Sequence, residues 1–292
     1  MTAANAAPAT GTTLVIGATG TTGSRTCAQL AAAGHAVRAA GRRATPVPGA
    51  EPVAFDWYDP RTHAAALAGI DRVYVIPPVG DPDPAAAVLP FLRRARAAGV
   101  RRAVLLSASS IEEGGPAVGQ VHAALPGIFD EWAVLRPSWF MQNFTGGHLH
   151  AESIRTEGVI RTATGTGRVG FVDADDIAAV AVRALTDVRA PGTDLVLTGP
   201  EALGYDDVAA IAAEVTGRPV VHEPLSGAEL RDRLAALMPA EFAALLAGMD
   251  RAIADGAEDR VTDSVRRLTG RPARGLRAVM RRELGAAGGA GR

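Results

Sequence analysis

Short apolar runs alternate with alanine-rich stretches along the first half of the chain. The runs are bounded by glycine or polar residues, which is typical of buried strands. We assign strands to Thr12–Ile16, Ala36–Ala40, Pro52–Phe55, Val73–Ile76, Ala103–Ser107 and Trp132–Leu135. Helical spacing predicts helices over Ser24–Ala33, Thr62–Leu67, Ala85–Ala98 and roughly Ala117–Leu125. This order of β-α-β units predicts an α/β fold with a parallel sheet covered by helices on both faces.

After about Arg136 the pattern becomes mostly helical. The remaining predicted elements are strands Val159–Arg161 and Asp194–Thr198 and helices Ala174–Leu185, Tyr205–Thr216, Gly227–Leu237, Pro239–Asp255 and Arg274–Arg282. No glycine-rich linker precedes them, so we expect this part to pack against the carboxyl edge of the sheet. We predict disordered tails at 1–11 and 285–292, a dinucleotide-binding core at 12–145, and the remaining strands with a helical substrate-binding part of the same domain at 146–284.

Three glycines lie between the first predicted strand and the first predicted helix. Gly17, Gly20 and Gly23 form G-x-x-G-x-x-G. In a strand-loop-helix setting the first glycine permits a tight turn, the second lets a phosphate approach the main chain, and the third lets the helix pack on the strand. The loop therefore predicts a dinucleotide site, and the alternative is a merely tight turn.

Two arginines follow the second predicted strand, where an acidic residue would bind the ribose 2′-hydroxyl of NAD. The sequence there is "AAGRR", with Arg42 and Arg43 and no local carboxylate. Guanidinium groups form charge-assisted bonds with a 2′-phosphate, which favours NADP(H). Surface arginine pairs are also common as solvated groups.

Composition narrows the class of partner. The formal net charge is -1, which gives no reason to expect nucleic acid or an anionic membrane, and no apolar run is long enough to span one. The single cysteine, Cys27, excludes an intramolecular disulfide and fits the cytoplasm. All 30 basic residues are arginine, so a lysine cannot take part in catalysis. We expect a small-molecule ligand; the oligomeric state stays open, and a homodimer is compatible with this size.

Several motifs together resemble the NmrA-like group of atypical short-chain dehydrogenase/reductases. They are "VIGATGTTG", "AAGRR", "LLSASS", "VLRPSWFMQNF", "FVDADDIAAVA" and "LTGPEALGYDDVAAIAAEVTGRPV". The resemblance is nearest to ergot-alkaloid-type iminium reductases and type 2 quinone reductases, and it covers nearly everything from Thr12 to Leu284. It implies a Rossmann-type doubly wound sheet with a small helical C-terminal substrate cap.

The resemblance also implies roles for individual residues. Besides the glycines, Thr19 and Thr22 would hold the pyrophosphate. The remaining implied cofactor or nicotinamide contacts are Asp56, Trp57, Pro77, Pro78 and Pro137, and Ser107 and Ser109 would end the strand beside them. Asp56 and Trp57 are equally explained by turn capping and core packing.

One departure from typical short-chain dehydrogenases concerns the proton donor. Those enzymes use Tyr-x-x-x-Lys, in which the ammonium lowers the tyrosine pKa. Here the tyrosines are Tyr58, Tyr74 and Tyr205, and lysine is absent. On the helix after "LLSASS" the sequence offers His122, our candidate for a general acid, although a lone histidine is more often a packing residue. Ser107 and Ser109 are further candidates for catalytic hydrogen bonds to substrate or ribose.

Without a Tyr-x-x-x-Lys proton donor, the sequence favours hydride acceptors that need little acid catalysis. Hydride addition to a ketone leaves an alkoxide, whereas addition to an iminium carbon leaves a neutral amine. We therefore expect NADPH-dependent reduction of an imine, iminium, activated alkene or quinone. Alternatives are an NADP(H)-binding regulatory sensor without turnover and an enzyme that uses NADP redox-neutrally.

The most specific motif supplies the candidate substrate wall. It comprises Trp139, Phe140, Met141, Asn143 and Phe144, which form either an apolar pocket lining or core. We expect no metal, because His148 and His150 lack a ligand cluster. Asp173, Asp175 and Asp176 are interpreted as helix-capping carboxylates, as are Tyr205–Asp207.

Overall fold

The computed structural model describes residues 11–288. Its strands are β1 (Thr12–Ile16), β2 (Ala36–Gly41), β3 (Glu51–Ala54), β4 (Ile70–Val75), β5 (Arg102–Leu106), β6 (Glu131–Pro137), β7 (Val159–Thr162), β8 (Asp194–Leu197) and β9 (Val221–Pro224). Its helices are α1 (Thr21–Ala32), α2 (His63–Leu67), α3 (Ala85–Ala97), α4 (Gly119–Ala124), α5 (Leu149–Thr156), α6 (Ala174–Thr186), α7 (Tyr205–Thr216), α8 (Gly227–Ala235), α9 (Ala240–Ala254), α10 (Ser264–Thr269) and α11 (Leu276–Gly288). Within these residues, no helix has both the length and the apolar character needed to cross a bilayer.

The main sheet confirms the predicted Rossmann-type α/β fold. Its seven strands are ordered β3-β2-β1-β4-β5-β6-β8, and pairing is parallel from β3 through β6. The order reverses direction at β1, which has β2 on one side and β4 on the other. In such sheets ligands bind outside the carboxyl ends of the strands at this switch point.

The described chain forms two compact units. The first comprises the described residues up to Pro137 together with Ala174–Val196, and the second comprises Ser138–Asp173 with the described residues from Leu197 onward. The predicted boundary at residue 145 does not coincide with this division. Periodicity could not show that α6 rejoins the first unit after an excursion of 36 residues (138 through 173).

A buried arginine, Arg102, links strand β5 to the end of helix α6 in the first unit. Arg102 on β5 donates hydrogen bonds to the carbonyl oxygens of Ala184, Leu185 and Asp187, which end α6, and forms an ion pair with Glu131. A guanidinium at a helix carboxyl end satisfies otherwise unpaired carbonyls and complements the dipole. Arginine is suited to this place because its planar fork reaches several acceptors at once.

The second unit has its own apolar core and a buried ion cluster. Asp173 is fully buried, and its carboxylate accepts hydrogen bonds from Arg274 at 3.2 Å, Arg282 at 3.1 Å and Gln142 at 2.9 Å. These contacts join α11 to the segment after β6. The interpretation of Asp173 as a simple helix cap is therefore incomplete, because two guanidinium groups from the far end of the sequence bind it.

Sequence periodicity missed three elements and shortened a fourth. The missed elements are α5, α10 and β9, each only four to eight residues long. Helix α11 continues through residues 285–288, which the glycine content predicted to be disordered. Its earlier turns are anchored by buried Leu276, Val279 and Met280, and this packing offsets the low helix propensity of glycine. Residues 1–10 and 289–292 lie outside the described residues.

We predict that Asp173→Asn destabilises the protein by about 2 kcal/mol, because two guanidinium groups then lose a charged acceptor. Urea unfolding followed by tryptophan fluorescence measures the change. Asp263→Asn is the control, because it removes an exposed i,i+4 partner of Arg267. Equal midpoints for the two variants would contradict a structural role for the buried cluster.

Candidate functional site

The glycine loop joins β1 to α1 with little room for side chains. Gly17 has φ of 71°, a conformation that favours glycine, and its amide donates to the Ala40 carbonyl at 3.1 Å. A Cβ at Gly23 would lie 2.1 Å from the Gly17 carbonyl oxygen. The third glycine is therefore required by helix-strand packing, as its place in the motif predicts.

The amino end of α1 is suited to an anion. Gly20 is its N-cap and contributes no side-chain hydrogen bond, and the first turn contains no acidic residue. The first amides of a helix have no intrahelical acceptor, and the helix dipole adds partial positive charge there. The two threonines differ, since Thr19 is exposed and Thr22 is only 3% exposed. Thr19 is the one whose side chain is open to a phosphate.

Arg42 and Arg43 lie immediately after β2 and are exposed. Neither forms a hydrogen bond or ion pair with another described residue; Arg38, on the same strand, binds Glu51 instead. Their charges are thus uncompensated by the described protein at the carboxyl end of β2. This arrangement fits recognition of a 2′-phosphate.

Asp56 and Trp57 both have clear structural roles. The Asp56 carboxylate accepts the Tyr58 amide at 3.0 Å, which caps a turn. The Trp57 indole donates to the Ile76 carbonyl at 3.3 Å and packs edge-on against Phe91, with 5.2 Å between ring centroids. Turn capping and core packing therefore account for both residues, and cofactor contact by either stays a prediction.

The predicted residues after β4 and β5 lie at the carboxyl edge of the sheet. Pro77 and Pro78 follow β4 and are half-buried, and Ser107 directly follows β5. The Ser107 hydroxyl is buried without a hydrogen-bond partner among the described residues. A buried hydroxyl in this position has capacity left for a ligand. Ser109 differs, because it is 3% exposed and its carbonyl accepts a bond from Arg136 at 3.0 Å.

His122 lies on α4 and is only 3% exposed. Its Nδ1 atom is buried and has no hydrogen-bond partner in the described part of the chain. It is therefore not an ordinary surface histidine. Gln120, the other polar residue of this helix, is exposed and binds the carbonyls of Gly114 and Gly115.

The residues of the predicted substrate wall differ in how deeply they are buried. Pro137, a predicted nicotinamide contact outside the wall, is the last residue of β6 and belongs to the first unit, whereas the wall residues belong to the second. Trp139 is half-buried and lines a cavity of about 230 Å³. Met141 and Phe144 are each 1% exposed and are part of the second unit's core.

The assignment of Met141 and Phe144 to a pocket surface is therefore corrected. A 3-10 turn over Met141–Phe144 directs these two side chains into the core, whereas Phe140 and Asn143 stay half-buried. Sequence reasoning also missed Ser138, whose buried hydroxyl donates to the buried Glu258 carboxylate at 3.2 Å.

An aromatic and histidine cluster adjoins this cavity. The His150 ring stacks on Phe144 at 5.7 Å and lies 5.8 Å from the Tyr205 ring. Removal from water lowers the pKa of His150 to about 3, with smaller contributions from His148 and His222. The His148 Nδ1 accepts the His150 amide at 3.2 Å, and desolvation also lowers the pKa of His148. Both imidazoles are therefore neutral at pH 7.

The capping role predicted at the start of α7 is confirmed. The Asp207 carboxylate accepts the Gly204 amide at 3.0 Å. Tyr205 is instead buried in the aromatic cluster.

Comparison with known proteins identifies the chemistry of related chains. The sequence profile of a family described as NAD(P)H-binding matches residues 17–188, beginning at the first glycine of the loop. The chain is 47% identical over 264 residues to an uncharacterized oxidoreductase, YesF, of Bacillus subtilis (strain 168), covering 90% of this chain and 92% of the relative. It is 44% identical over 224 residues to the agroclavine dehydrogenase of Claviceps fusiformis, covering 74% of this chain and 78% of the relative.

A solved structure supports the fold. The crystal structure of the Citrobacter sp. triphenylmethane reductase complexed with NADP(H) superposes with a TM-score of 0.77 at 24% identity, covering 93% of this chain and 99% of that chain. At this identity the likeness extends to the fold alone.

We predict that acidification destabilises the second unit through His150. Because its pKa is depressed on folding, the unfolded chain gains a proton that the folded chain does not as pH falls below about 6.5. The urea midpoint should therefore fall from pH 6.5 towards pH 4. His150→Phe keeps an aromatic ring without titrating and should show a shallower fall; an unchanged pH dependence would contradict the assignment.

Proposed function

The chain belongs to the NAD(P)H-binding family of oxidoreductases, and on this premise we propose that it is an NADPH-dependent reductase of apolar small molecules. The proposed acceptor is an imine or iminium, or an activated alkene or quinone. The observation that carries the proposal is the uncapped amino end of α1 behind a loop whose glycines leave the main chain accessible.

The residues present fit the dinucleotide. The loop Gly17–Gly23 and the first amides of α1 would bind the diphosphate, and Arg42 with Arg43 would bind the 2′-phosphate. The free hydroxyl of Ser107 would bind the ribose or the substrate. When bound, the cofactor supplies the hydride.

The tyrosines support a mechanism without a Tyr-x-x-x-Lys pair. Burial raises the pKa of Tyr74 and of Tyr205, and a hydrogen bond to Asp81 raises the pKa of Tyr58. All three tyrosines of the chain are thus shifted in the direction opposite to the one that pair requires. Acceptors that generate little negative charge are therefore favoured.

His122 remains the proposed proton donor where the acceptor needs one. Its buried, unpartnered Nδ1 can donate or accept according to the tautomer. An alkene or quinone needs this proton, whereas an iminium carbon yields a neutral amine without it. The proximity and orientation of two bound molecules supply most of the acceleration in the iminium case, worth up to ~7 to 11 kcal/mol.

A panel of imines, enones and quinones tests the proposal by NADPH consumption at 340 nm. His122→Gln should slow enone or quinone reduction at least tenfold and leave iminium reduction nearly unchanged. Unchanged rates with every acceptor would remove His122 from the mechanism. Saturable NADPH binding without consumption across the panel would instead favour a regulatory sensor or redox-neutral use of the cofactor.

We predict that Arg42→Ala weakens NADPH binding about 10- to 100-fold, equivalent to the loss of a charge-assisted bond of about 1.5–3 kcal/mol. NADH binding should change little, because NADH has no 2′-phosphate. Calorimetric titration of both cofactors measures the difference. Arg93→Ala on α3 removes another exposed guanidinium and serves as the control; equal losses for both cofactors would refute the NADP(H) assignment.

A further inference from the structure

The second unit contains a largely apolar cavity of about 230 Å³, just below the usual size of ligand pockets, roughly 300–1,000 Å³. Its apolar lining consists of Trp139, Leu149, Leu230, Leu234, Leu237 and Leu246. The volume suits a small organic molecule with one or two rings. Trp139 and the five leucines can bury the body of such a ligand without requiring polar groups on it.

The arginines of the cavity are already paired. Arg161 binds Glu157 at 2.6 Å and Glu223 at 2.8 Å, and Arg233 lies 3.9 Å from Glu157. Neither guanidinium therefore offers an uncompensated positive charge to a ligand. An anionic ligand would have to displace these contacts.

The carboxylates of the cavity, unlike its arginines, do not all have an ion-pair partner among the described residues. Glu152 pairs with Arg155 at 2.6 Å, but Asp250 on α9 forms no ion pair with another described residue. Its carboxylate accepts the Ala163 amide at 2.7 Å. We count the charged side chains that line the cavity together with their ion-pair partners. The carboxylates are Glu152, Glu157, Glu223 and Asp250, and the guanidiniums are Arg155, Arg161 and Arg233. One negative charge is therefore left over, and it lies on Asp250.

The neighbouring histidines compensate the charge of Asp250 only in part. His148 and His150 line the same cavity and are neutral, as shown above. His222 lies close enough to Asp250 for their charges to interact, and both of its ring nitrogens are engaged, with Asp206 at 3.0 Å and the Thr162 hydroxyl at 2.9 Å. Burial raises the pKa of Asp250, and the charge of His222 opposes this shift only as a smaller effect. A carboxylate in such a place is stabilised by an incoming cation.

We propose that this cavity binds a small aromatic monocation, with its charged nitrogen against Asp250 and its ring body between Trp139 and the leucines. This site prefers such a cation over a neutral molecule of the same shape. Asp250 is then the residue that determines this specificity. The cavity is built from the second unit alone, so the ligand binds without the cofactor.

Calorimetry without cofactor tests the proposal with two probes of similar shape. The N-methylquinolinium cation should bind at least tenfold more tightly than the neutral N-methyl-2-quinolone. Asp250→Asn should abolish this preference by weakening only the cation, because an asparagine oxygen can still accept the Ala163 amide. Asp255→Asn removes an exposed carboxylate one turn further along the same chain segment and should keep the preference. The urea midpoints of both variants verify folding.

Two outcomes would overturn the proposal: equal binding of the two probes to the unmodified protein, or a cation preference that survives Asp250→Asn. Failure here is distinct from failure of the reductase proposal. NADPH consumption with quinones and no cation preference would leave the reductase and remove the cation site. Cation binding through Asp250 without NADPH consumption by any acceptor would leave the site and remove the reductase.

Discussion

The contact between Gly23 and the carbonyl oxygen of Gly17 is the constraint on which the dinucleotide site depends. A Cβ there would lie 2.1 Å from that oxygen, so only glycine lets α1 start this close to β1. The topology places the same helix end at the strand where the sheet order reverses. Unpaired amides, the helix dipole and the crevice of the sheet therefore coincide at one point, and an anion is the ligand for which all three are favourable.

Because the chain contains no lysine, it cannot activate a tyrosine as a proton donor, and the proposed reaction depends more on the reactivity of the acceptor. A typical short-chain dehydrogenase places an ammonium beside a tyrosine, whereas here each tyrosine is either buried or bonded to a carboxylate and its pKa is raised. The proposed reductase would therefore gain most by positioning an acceptor that is already electrophilic.

The sequence was most informative where one local signal decides the structure. Strand β1 and helix α7 have their predicted bounds, because an apolar run or a glycine at each end of a helix is sufficient there. Spacing could not reveal that Asp173 binds Arg274 and Arg282, since those partners are about 100 residues away and each looks like a solvated charge. It also could not separate Trp139 from Met141 and Phe144, because a 3-10 turn changes the direction of successive side chains.

The same limit explains why the charge of the second unit's cavity could not be predicted. Composition gives a net charge of -1 for the whole chain, with arginines and carboxylates nearly equal in number. The net charge that a ligand encounters in the cavity depends on which arginines and carboxylates form ion pairs with each other. Arg161 is bound by two carboxylates, while the Asp250 carboxylate accepts a backbone amide and forms no ion pair within the described part of the chain. A half-buried carboxylate without an ion-pair partner among the described residues favours an incoming cation, so the proposed charge preference of this cavity depends on one residue rather than on the average of its lining.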